Sequence, residues 1–357
     1  MEKVLVGMSG GVDSAAAALL LRQAGYEPVG CTLHLYSGTD AGPSGSCCSL
    51  EDTEDARAVA ARLGMDFYVF NFKETFRLRV MDDFVAEYRA GRTPNPCIQC
   101  NRYIKFDALL RRAQDLDIPR IATGHYARVV YSEAAGRWQL LRGLDRRKDQ
   151  SYVLYPLTQR QLSRLLLPVG DYDKAAIRAM AEAAGLVNAR KPDSQDICFV
   201  PGGDYGGFLA RYGGVEGVPG DFVDTAGQVL GRHRGQEHYT TGQRRGLGVS
   251  ADRPLYVLRK EAAGNRVVLG DESELYSRTV WVEDFNWVSL APAQAPLSVT
   301  AKTRYSQSEA AATLYPGENG LTRVVFDQPQ RAVTAGQSLV AYVGECVAGG
   351  GVIRGAE

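Results

Sequence analysis

The first half of the chain alternates short apolar runs with stretches whose apolar residues recur at helical spacing. Residues 4–6 and 28–35 are apolar runs typical of buried strands, and the helical pattern between them begins near Asp13 and ends at Gly25. The same reading predicts helices at 50–63, 76–89 and 104–116 and strands at 67–72 and 120–123. Strands and helices in this order, continuing to about residue 170, predict an α/β domain with a parallel sheet.

The pattern changes after an alanine-rich amphipathic helix predicted within residues 170–185. Glycine becomes frequent from Pro201 to Gly235, and the stretch 240–269 is typical of a small, mostly β module. The runs 297–305, 311–315, 321–326 and 338–342 alternate like the strands of a β-barrel. We therefore predict an α/β parallel-sheet domain at 1–200, a small β-rich domain at 201–275 and a C-terminal β-barrel at 276–357.

Composition narrows the class of protein. The 357 residues are 45% hydrophobic, and 41 acidic residues balance 41 basic ones, which argues against a protein that coats nucleic acid, DNA included, without selectivity. Neither a long apolar run nor a signal-peptide pattern is present, so we expect a cytoplasmic location and no membrane contact. Seven cysteines, an odd number, indicate reduced thiols or metal ligands rather than a disulfide framework.

The turn after the first predicted strand has the sequence SGGVDS at residues 9–14. Gly10 and Gly11 let the backbone approach a ligand, and the N–H groups of the first helical turn suit an anion such as phosphate. The segment lacks the Lys-Ser/Thr ending of a Walker loop and the third glycine of a dinucleotide fingerprint. A simple strand-to-helix turn is the alternative interpretation, but the full string is far more restrictive than a glycine pair.

A second motif, GRTPNPCIQCN at residues 91–101, contains Cys97 and Cys100. Two prolines bracket Asn95, disfavour helix and predict an extended, rigid loop. Half of a structural zinc site is one interpretation of this pair, although a four-ligand site needs a second nearby pair. Cys198, between Ile197 and Phe199, is the other cysteine in a distinctive context; taken alone, it is typical of a buried small hydrophobe.

Taken together, these motifs resemble the tRNA-specific 2-thiouridylase family of the PP-loop ATP pyrophosphatases. The resemblance extends over nearly the whole chain and rests on residues 8–14, 93–101 (TPNPCIQCN), 122–126 (ATGHY), 148–152 (KDQSY), 193–199, 241–248 (TGQRRGLG) and 302–305 (KTRY). It implies a PP-loop (adenine nucleotide alpha-hydrolase-like) fold for the first domain, followed by a small β domain and a C-terminal β-barrel. It also implies thiolation of the wobble uridine at C2, after ATP adenylates the C2 oxygen and releases pyrophosphate.

The resemblance also assigns residues. It implies ATP and Mg²⁺ as cofactors, with ATP contacts at Gly7, Met8, Ser9, Gly10, Gly11, Val12, Asp13, Ser14, Leu33 and Gly124. It implies tRNA contacts at Asn95, Pro96, Cys97, His125, Lys148, Asp149, Gln150, Arg304, Tyr305 and Gln337. Cys100 matches the catalytic cysteine, Cys198 matches the cysteine that carries persulfide sulfur, and Asp13 is expected to act with the loop in catalysis.

One departure leaves the sulfur route open, because many family members have Asp where this chain has Cys97. In the persulfide route, Cys100 attacks a persulfide on Cys198 and leaves a disulfide that must be reduced. In the alternative, Cys97, Cys100 and Cys198 hold a 4Fe-4S cluster whose open iron binds sulfide. The sulfur donor is accordingly a persulfide relay protein or sulfide itself.

Basic residues in three segments are predicted to line a tRNA cleft: Arg142, Arg146, Arg147 and Lys148; Arg232, Arg234, Arg244 and Arg245; Lys302 and Arg304. Two other functions compete with tRNA thiolation. A PP-loop ligase acting on a small carboxylate needs neither paired cysteines nor RNA-binding β domains. A metal-binding RNA sensor without catalysis needs no pyrophosphate loop.

Overall fold

The computed structural model describes residues 1–36, 50–193, 197–317 and 320–357. Its N-terminal sheet has five parallel strands in the order β3-β2-β1-β4-β7. These strands are β1 (Lys3–Gly7), β2 (Glu27–His34), β3 (Phe67–Asn71), β4 (Arg120–Thr123) and β7 (Leu165–Leu166). The predicted strands at 4–6, 28–35, 67–72 and 120–123 are confirmed.

Helices cover both faces of this sheet, because side chains of a strand alternate between its two sides. Val4 and Val6 pack in one apolar cluster with α1 (Val12–Gln23), α2 (Leu50–Arg62) and α8 (Lys174–Ala183). Leu5, between them, packs on the other face with Phe106. This arrangement confirms the predicted α/β domain with a parallel sheet.

Two helical stretches follow β3. The first contains α3 (Lys73–Phe76), a π-helical turn (Arg77–Met81) and α4 (Asp82–Arg89), so it begins three residues before the predicted start at 76. The second contains α5 (Pro96–Cys100), a π-helical segment (Asn101–Ala108) and α6 (Leu109–Asp115).

The predicted extended loop at 91–101 is therefore wrong beyond Asn95. Proline is tolerated at the first helical position, where its missing N–H has no partner to lose. Pro96 takes that position, and the Asn95 side chain caps the helix by accepting a hydrogen bond from the Cys97 N–H at 3.2 Å. Cys97 and Cys100 consequently lie in the first turns of a helix.

A β-hairpin interrupts the predicted alternation of strands and helices. Strands β5 (Ala127–Ser132) and β6 (Arg137–Arg142) pair with each other and join the C-terminal sheet, where Leu141 pairs with Cys346. The prediction that alternation continues to about residue 170 is therefore wrong. A short helix, α7 (Gln159–Leu162), and β7 return the chain to the parallel sheet before α8.

The remaining elements are α9 (Tyr205–Gly213) and two β structures. A four-stranded sheet, β10-β11-β8-β9, contains β8 (Gly220–Val223), β9 (Val229–His233), β10 (Tyr256–Glu261) and β11 (Arg266–Gly270). The predicted module at 240–269 misses its first two strands, which are short and contain glycine. None of the helices in the described ranges has the length and apolarity that crossing a membrane requires.

The C-terminal strands close into a six-stranded barrel in the order β12-β15-β14-β13-β16-β17, with β17 pairing back to β12. They are β12 (Tyr276–Asn286), β13 (Leu297–Lys302), β14 (Ala310–Tyr315), β15 (Leu321–Arg331), β16 (Ser338–Val343) and β17 (Cys346–Ala356). The four predicted strands are confirmed, and β12 and β17 were missed. β17 carries three successive glycines, and a Cβ at Gly350 would lie 2.7 Å from the Leu339 carbonyl oxygen.

Candidate nucleotide and thiol site

The glycine-rich loop lies where the strand order of the parallel sheet reverses. The next strand in sequence, β2, lies on one side of β1, and β4 lies on the other, so a crevice forms beyond the carboxyl ends of these strands, as in other open α/β sheets. Gly10 has φ +74°, and a Cβ there would lie 2.4 Å from the Asp52 carbonyl oxygen. Glycine is therefore required at this turn both for its backbone conformation and for space.

Contacts from distant parts of the chain hold this loop in place. The Thr32 hydroxyl donates to the Met8 carbonyl at 2.9 Å, and the Asn188 amide donates to the Gly10 carbonyl at 3.0 Å. A Cβ at Gly124, just beyond β4, would lie 2.6 Å from the Ser14 nitrogen. The structure thus brings Gly124 against the loop, as expected if both contact one nucleotide, and Leu33 lies partly buried on neighbouring β2.

Asp13, on the first turn of α1, is the centre of a charged network. Both of its carboxylate oxygens accept hydrogen bonds from the Lys174 ammonium, at 2.7 and 2.8 Å. The Tyr126 hydroxyl donates to the same carboxylate at 2.7 Å. Burial, together with this bond to Asp13, raises the pKa of Tyr126, so the phenol stays protonated and keeps donating.

The network continues from Lys174 to Asp193. The Asp193 carboxylate lies 2.8 Å from the Lys174 ammonium, 2.8 Å from that of Lys148 and 3.3 Å from the Arg178 guanidinium. Burial opposes ionisation of Asp193, but hydrogen bonds from Lys148 and Lys174 outweigh it and lower its pKa to about 2. The loop is thereby linked by ion pairs to the segment that leads to Cys198.

Sequence reasoning missed Lys174, Arg178 and the role of Tyr126. Tyr126 lies in one of the motifs on which the resemblance rests, so the sequence could have indicated a role for its hydroxyl. Lys174 and Arg178 lie on α8, which the sequence marks only as an amphipathic helix. Lys174 and Arg178 approach Asp13 and Asp193 only because α8 packs beside α1 on the same face of the sheet.

Cys100 and Cys198, far apart in sequence, lie in one apolar cluster. Cys100 is buried within it, and Cys198 packs against it partly buried. The Cys198 carbonyl accepts a hydrogen bond at 2.6 Å from the hydroxyl of Tyr36, a residue that lies just beyond the end of β2. The two predicted catalytic cysteines therefore lie in the same apolar cluster, beside the carboxyl ends of the parallel strands.

Cys97 differs from these two cysteines, because it is exposed on the first turn of α5. Within the described ranges, no group of three or more His, Cys, Asp or Glu residues is arranged to hold a metal ion. The thiols at 97, 100 and 198 accordingly do not form such a group among the described residues. Cys47 and Cys48 lie outside the described residues, as do residues 194–196 of the segment before Cys198.

Several residues expected to contact tRNA meet where the barrel touches the α5 loop. Burial raises the pKa of Tyr305, and the negative charges of Asp149 and of an ionised Cys97, both close to its phenol, raise this pKa further. The Tyr305 hydroxyl donates to the Asp149 carbonyl at 3.2 Å. The Gln337 amide donates to the Thr93 carbonyl at 2.7 Å, two residues before Asn95.

Other predicted tRNA residues support the protein itself. Arg304 donates to the Thr241 and Ala332 carbonyls at 3.2 and 2.6 Å and to the Thr334 hydroxyl at 2.6 Å, which links the central domain to the barrel. The Gln150 side chain accepts from the Tyr126 N–H at 3.0 Å.

His125 is likewise buried, 2.8 Å from the Thr123 hydroxyl, and desolvation holds its pKa well below 6.5. In this conformation the His125 ring supports the end of β4 rather than presenting a cation at the surface.

The fold and the site define a PP-loop nucleotide-binding domain that carries a pair of cysteines and is followed by two β domains. Three family models match in the same order: "tRNA methyl transferase HUP domain" over residues 2–202, "tRNA methyl transferase PRC-barrel domain" over 206–271 and "Aminomethyltransferase beta-barrel domain" over 277–353.

Full-length relatives identify the family. The tRNA-specific 2-thiouridylase MnmA of Acetivibrio thermocellus is 50% identical over 99% of both chains. That of Clostridioides difficile is 45% identical over 99% of this chain and 98% of its own. A 4-thiouridine synthetase in complex with RNA and bound ATP is only 18% identical, covers 56% of this chain and 46% of that one, and has a TM-score of 0.37. The chain belongs to the tRNA-specific 2-thiouridylase family.

Proposed function

We propose that this protein thiolates the wobble uridine of tRNA at C2, using ATP to activate the C2 oxygen and a cysteine persulfide as the sulfur carrier. The observation that carries the proposal is the placement of a pyrophosphate-type loop and a pair of cysteines at the same edge of one parallel sheet. A carboxylate ligase would use the loop but has no need of the thiols.

In the first step, the uridine C2 oxygen bonds to the α-phosphorus of ATP. The bond from that phosphorus to the β-phosphate oxygen breaks, and its electron pair leaves with pyrophosphate, while N3 of uridine loses its proton to water. Residues 7–14 and Gly124 would surround the phosphates, and the N–H groups at the start of α1 would stabilise their charge. A Mg²⁺ ion bound together with ATP would supply further neutralisation of the phosphate charge.

In the second step, the outer sulfur of a persulfide on Cys198 bonds to C2, and AMP departs with the former C2 oxygen. The Cys100 thiolate attacks the inner sulfur, so the Cys198 sulfur–sulfur bond breaks and the outer sulfur remains on the base. N3 regains a proton as the thiocarbonyl forms. The product disulfide between Cys100 and Cys198 is reduced by an external thiol before the next persulfide donor loads Cys198.

The persulfide route is the one that the described geometry favours. Cys100 and Cys198 share an apolar cluster, whereas Cys97 is exposed and the three thiols do not form a ligand set. The cluster route predicts a brown protein with about four irons per chain after anaerobic purification. A colourless, iron-free protein that thiolates tRNA from a persulfide donor would eliminate that route.

For tRNA recognition, we propose that the anticodon loop enters between the start of α5 and the barrel. Tyr305 is 41% exposed and offers an aromatic face on which a loop base can stack, and Lys302 lies 5.8 Å from the centre of its ring. Arg244 and Arg245 are exposed on the central domain, where they can contact backbone phosphates. The target uridine would then leave the base stack toward Cys97.

The proposal is tested by incubating the purified chain with tRNA, ATP and a persulfide donor, followed by mass spectrometry of the nucleosides. We expect 2-thiouridine, and we expect AMP and pyrophosphate to form only when tRNA is present. ATP consumption that depends on a small carboxylate and not on tRNA would replace this function with that of a ligase. Binding of tRNA without pyrophosphate release would indicate a non-catalytic RNA-binding protein.

A further inference from the structure

Lys174 lies at the nucleotide site, although neither the loop motif nor the resemblance assigns it a role. Its side chain is only 12% exposed, and its ammonium lies within 2.8 Å of three carboxylate oxygens, two on Asp13 and one on Asp193. The Tyr126 ring lies 5.8 Å from the same ammonium. An ammonium has three N–H donors, so these oxygens are sufficient to satisfy it in the unliganded chain.

The charges around Lys174 allow it to lose its ion pair with Asp193 without leaving that carboxylate unpaired. Asp193 keeps Lys148 at 2.8 Å and Arg178 at 3.3 Å, so it stays paired if Lys174 turns away. Within the described residues, Lys174 is the cation that pairs with Asp13, and the other donor to Asp13 is the neutral Tyr126 hydroxyl. Lys174 is therefore expected to remain with Asp13, while its contact with Asp193 is replaceable.

The position of Asp13 gives a physical reason for such an exchange. Asp13 lies within the loop that the proposed function assigns to pyrophosphate, and a carboxylate beside a polyanion is unfavourable without a cation between them. The backbone of Lys174 is fixed at the start of α8, where its N–H donates to the Asp145 carboxylate at 3.3 Å. The start of α8 can therefore stay in place while the Lys174 side chain changes its contacts.

We propose that Lys174 binds the phosphate chain of ATP, keeping its contact with Asp13 and exchanging the Asp193 oxygen for a phosphate oxygen. The inference rests on the proposed function, and it adds a substrate-binding cation that the loop itself lacks. Lysine suits this role, because its ammonium is a compact point charge that can serve carboxylate and phosphate oxygens at once.

The test measures binding by calorimetry, with α,β-methylene-ATP and Mg²⁺ as one probe and adenosine as the other. Lys174→Met should weaken binding of the ATP analogue by about ten- to a hundredfold, because one charge-assisted contact is lost. Its affinity for adenosine should stay unchanged, since adenosine carries no phosphate. A purely structural role of Lys174 would weaken both probes together.

Two further variants keep the test decisive if Lys174→Met does not fold. Asp193→Asn leaves Lys174 in place and removes the competing carboxylate, so it should tighten analogue binding by about two- to tenfold. Lys3→Met is the matched control: Lys3 begins β1 at the opposite end of the sheet, and its ammonium forms an exposed ion pair with Glu27 at 3.6 Å.

The outcomes separate the two proposals. Analogue binding by the unaltered chain, with unchanged affinity in Lys174→Met, would overturn the role of Lys174 alone. Weaker analogue binding in Asp193→Asn would overturn the exchange. If the unaltered chain binds neither probe, the proposed nucleotide chemistry fails, and the assignment of Lys174 fails with it.

Discussion

The site has two halves with different surroundings: the nucleotide half, around Asp13, is polar, and the thiol half, around Cys198, is apolar. Around Asp13, the groups are polar: the Lys174 ammonium and the Tyr126 hydroxyl donate to its carboxylate at 2.7 to 2.8 Å. Around Cys198, the neighbours are aromatic: the Phe199 ring lies 5.6 Å from that of Phe76 and 5.4 Å from that of Phe84. Phosphate chemistry needs fixed charges, whereas apolar surroundings limit the access of water to a persulfide. Each half should therefore fail separately when altered.

The largest expected effect separates the two products. Cys198→Ser should reduce 2-thiouridine below detection, because serine cannot carry persulfide sulfur, while tRNA-dependent pyrophosphate release in a single turnover continues. Both products are measured in one reaction by nucleoside mass spectrometry and a pyrophosphate assay. Cys346→Ser, in the barrel, is the matched control and should keep both products. Loss of pyrophosphate release in Cys198→Ser would show that the halves are not separable.

The reverse separation follows from altering the loop. Asp13→Ala should lower AMP formation by roughly a hundredfold or more, because Lys174 loses the carboxylate that positions it and the phosphates lose their arranged charges. Loading of Cys198 by a persulfide donor should continue, as measured by mass spectrometry of the intact protein. AMP formation at the rate of the unaltered chain would refute the assignment of this loop.

A third change tests the junction between the β domains. Arg304→Ala should lower the free energy of unfolding by roughly 1–3 kcal/mol, since two carbonyls and one hydroxyl lose their common donor. Denaturant unfolding measures this effect. Arg244→Ala, on an exposed loop of the central domain, is the control and should change stability by less than about 0.5 kcal/mol. Equal effects would mean that Arg304 does not join the domains.

A smaller effect is expected in tRNA affinity. Lys148→Met should reduce the slope of log affinity against log salt by about one, as for one lost phosphate contact. The Lys148 side chain is 39% exposed even while it pairs with Asp193, so its ammonium can reach the backbone. Filter binding over a range of salt concentrations measures the slope, and an unchanged slope would remove Lys148 from the tRNA interface.

The smallest effect concerns acid stability. In the folded chain the pKa of Asp193 is about 2 rather than 3.8, so its ion pairs stabilise the fold above the unfolded pKa. This contribution is lost as the pH falls from 3.8 through about 2. Asp193→Asn should therefore show a weaker fall in the free energy of unfolding over this window than the unaltered chain. Parallel curves for the two proteins would contradict the pairing.

The sequence indicates the glycine-rich loop of the nucleotide half but not the partners of Asp13, for a physical reason. The loop at 9–14 is encoded by consecutive residues, because two glycines at the turn are followed directly by a helix start. The structure places this turn between β1 and α1. The partners of Asp13 lie more than a hundred residues away, on β4's outgoing loop and on α8, and only packing brings them near. Nothing in a single helix pattern marks Lys174 as one of them.

The misassigned segments have comparable causes. Residues 96–100 were predicted as loop because proline usually breaks a helix, yet Pro96 begins one behind its Asn95 cap. The hairpin at 127–142 was assigned to the first domain because its position in the sequence gives no indication that it pairs with the distant strand β17. β17 itself was missed because three glycines weaken a strand pattern, although close backbone approach inside the barrel requires them. At the hairpin and at β17, contacts with distant residues outweighed a local preference, whereas at Pro96 the local preference of proline for the first helical position was overlooked.

The central claim is that the uridine C2 oxygen is adenylated before sulfur replaces it. The most direct measurement uses an anticodon stem–loop whose target uridine carries the heavy oxygen isotope at C2. After a single turnover with ATP and a persulfide donor, mass spectrometry is applied to the AMP. The account predicts that the heavy oxygen is found in AMP, in proportion to the 2-thiouridine formed. AMP without the isotope, formed alongside 2-thiouridine, would contradict it.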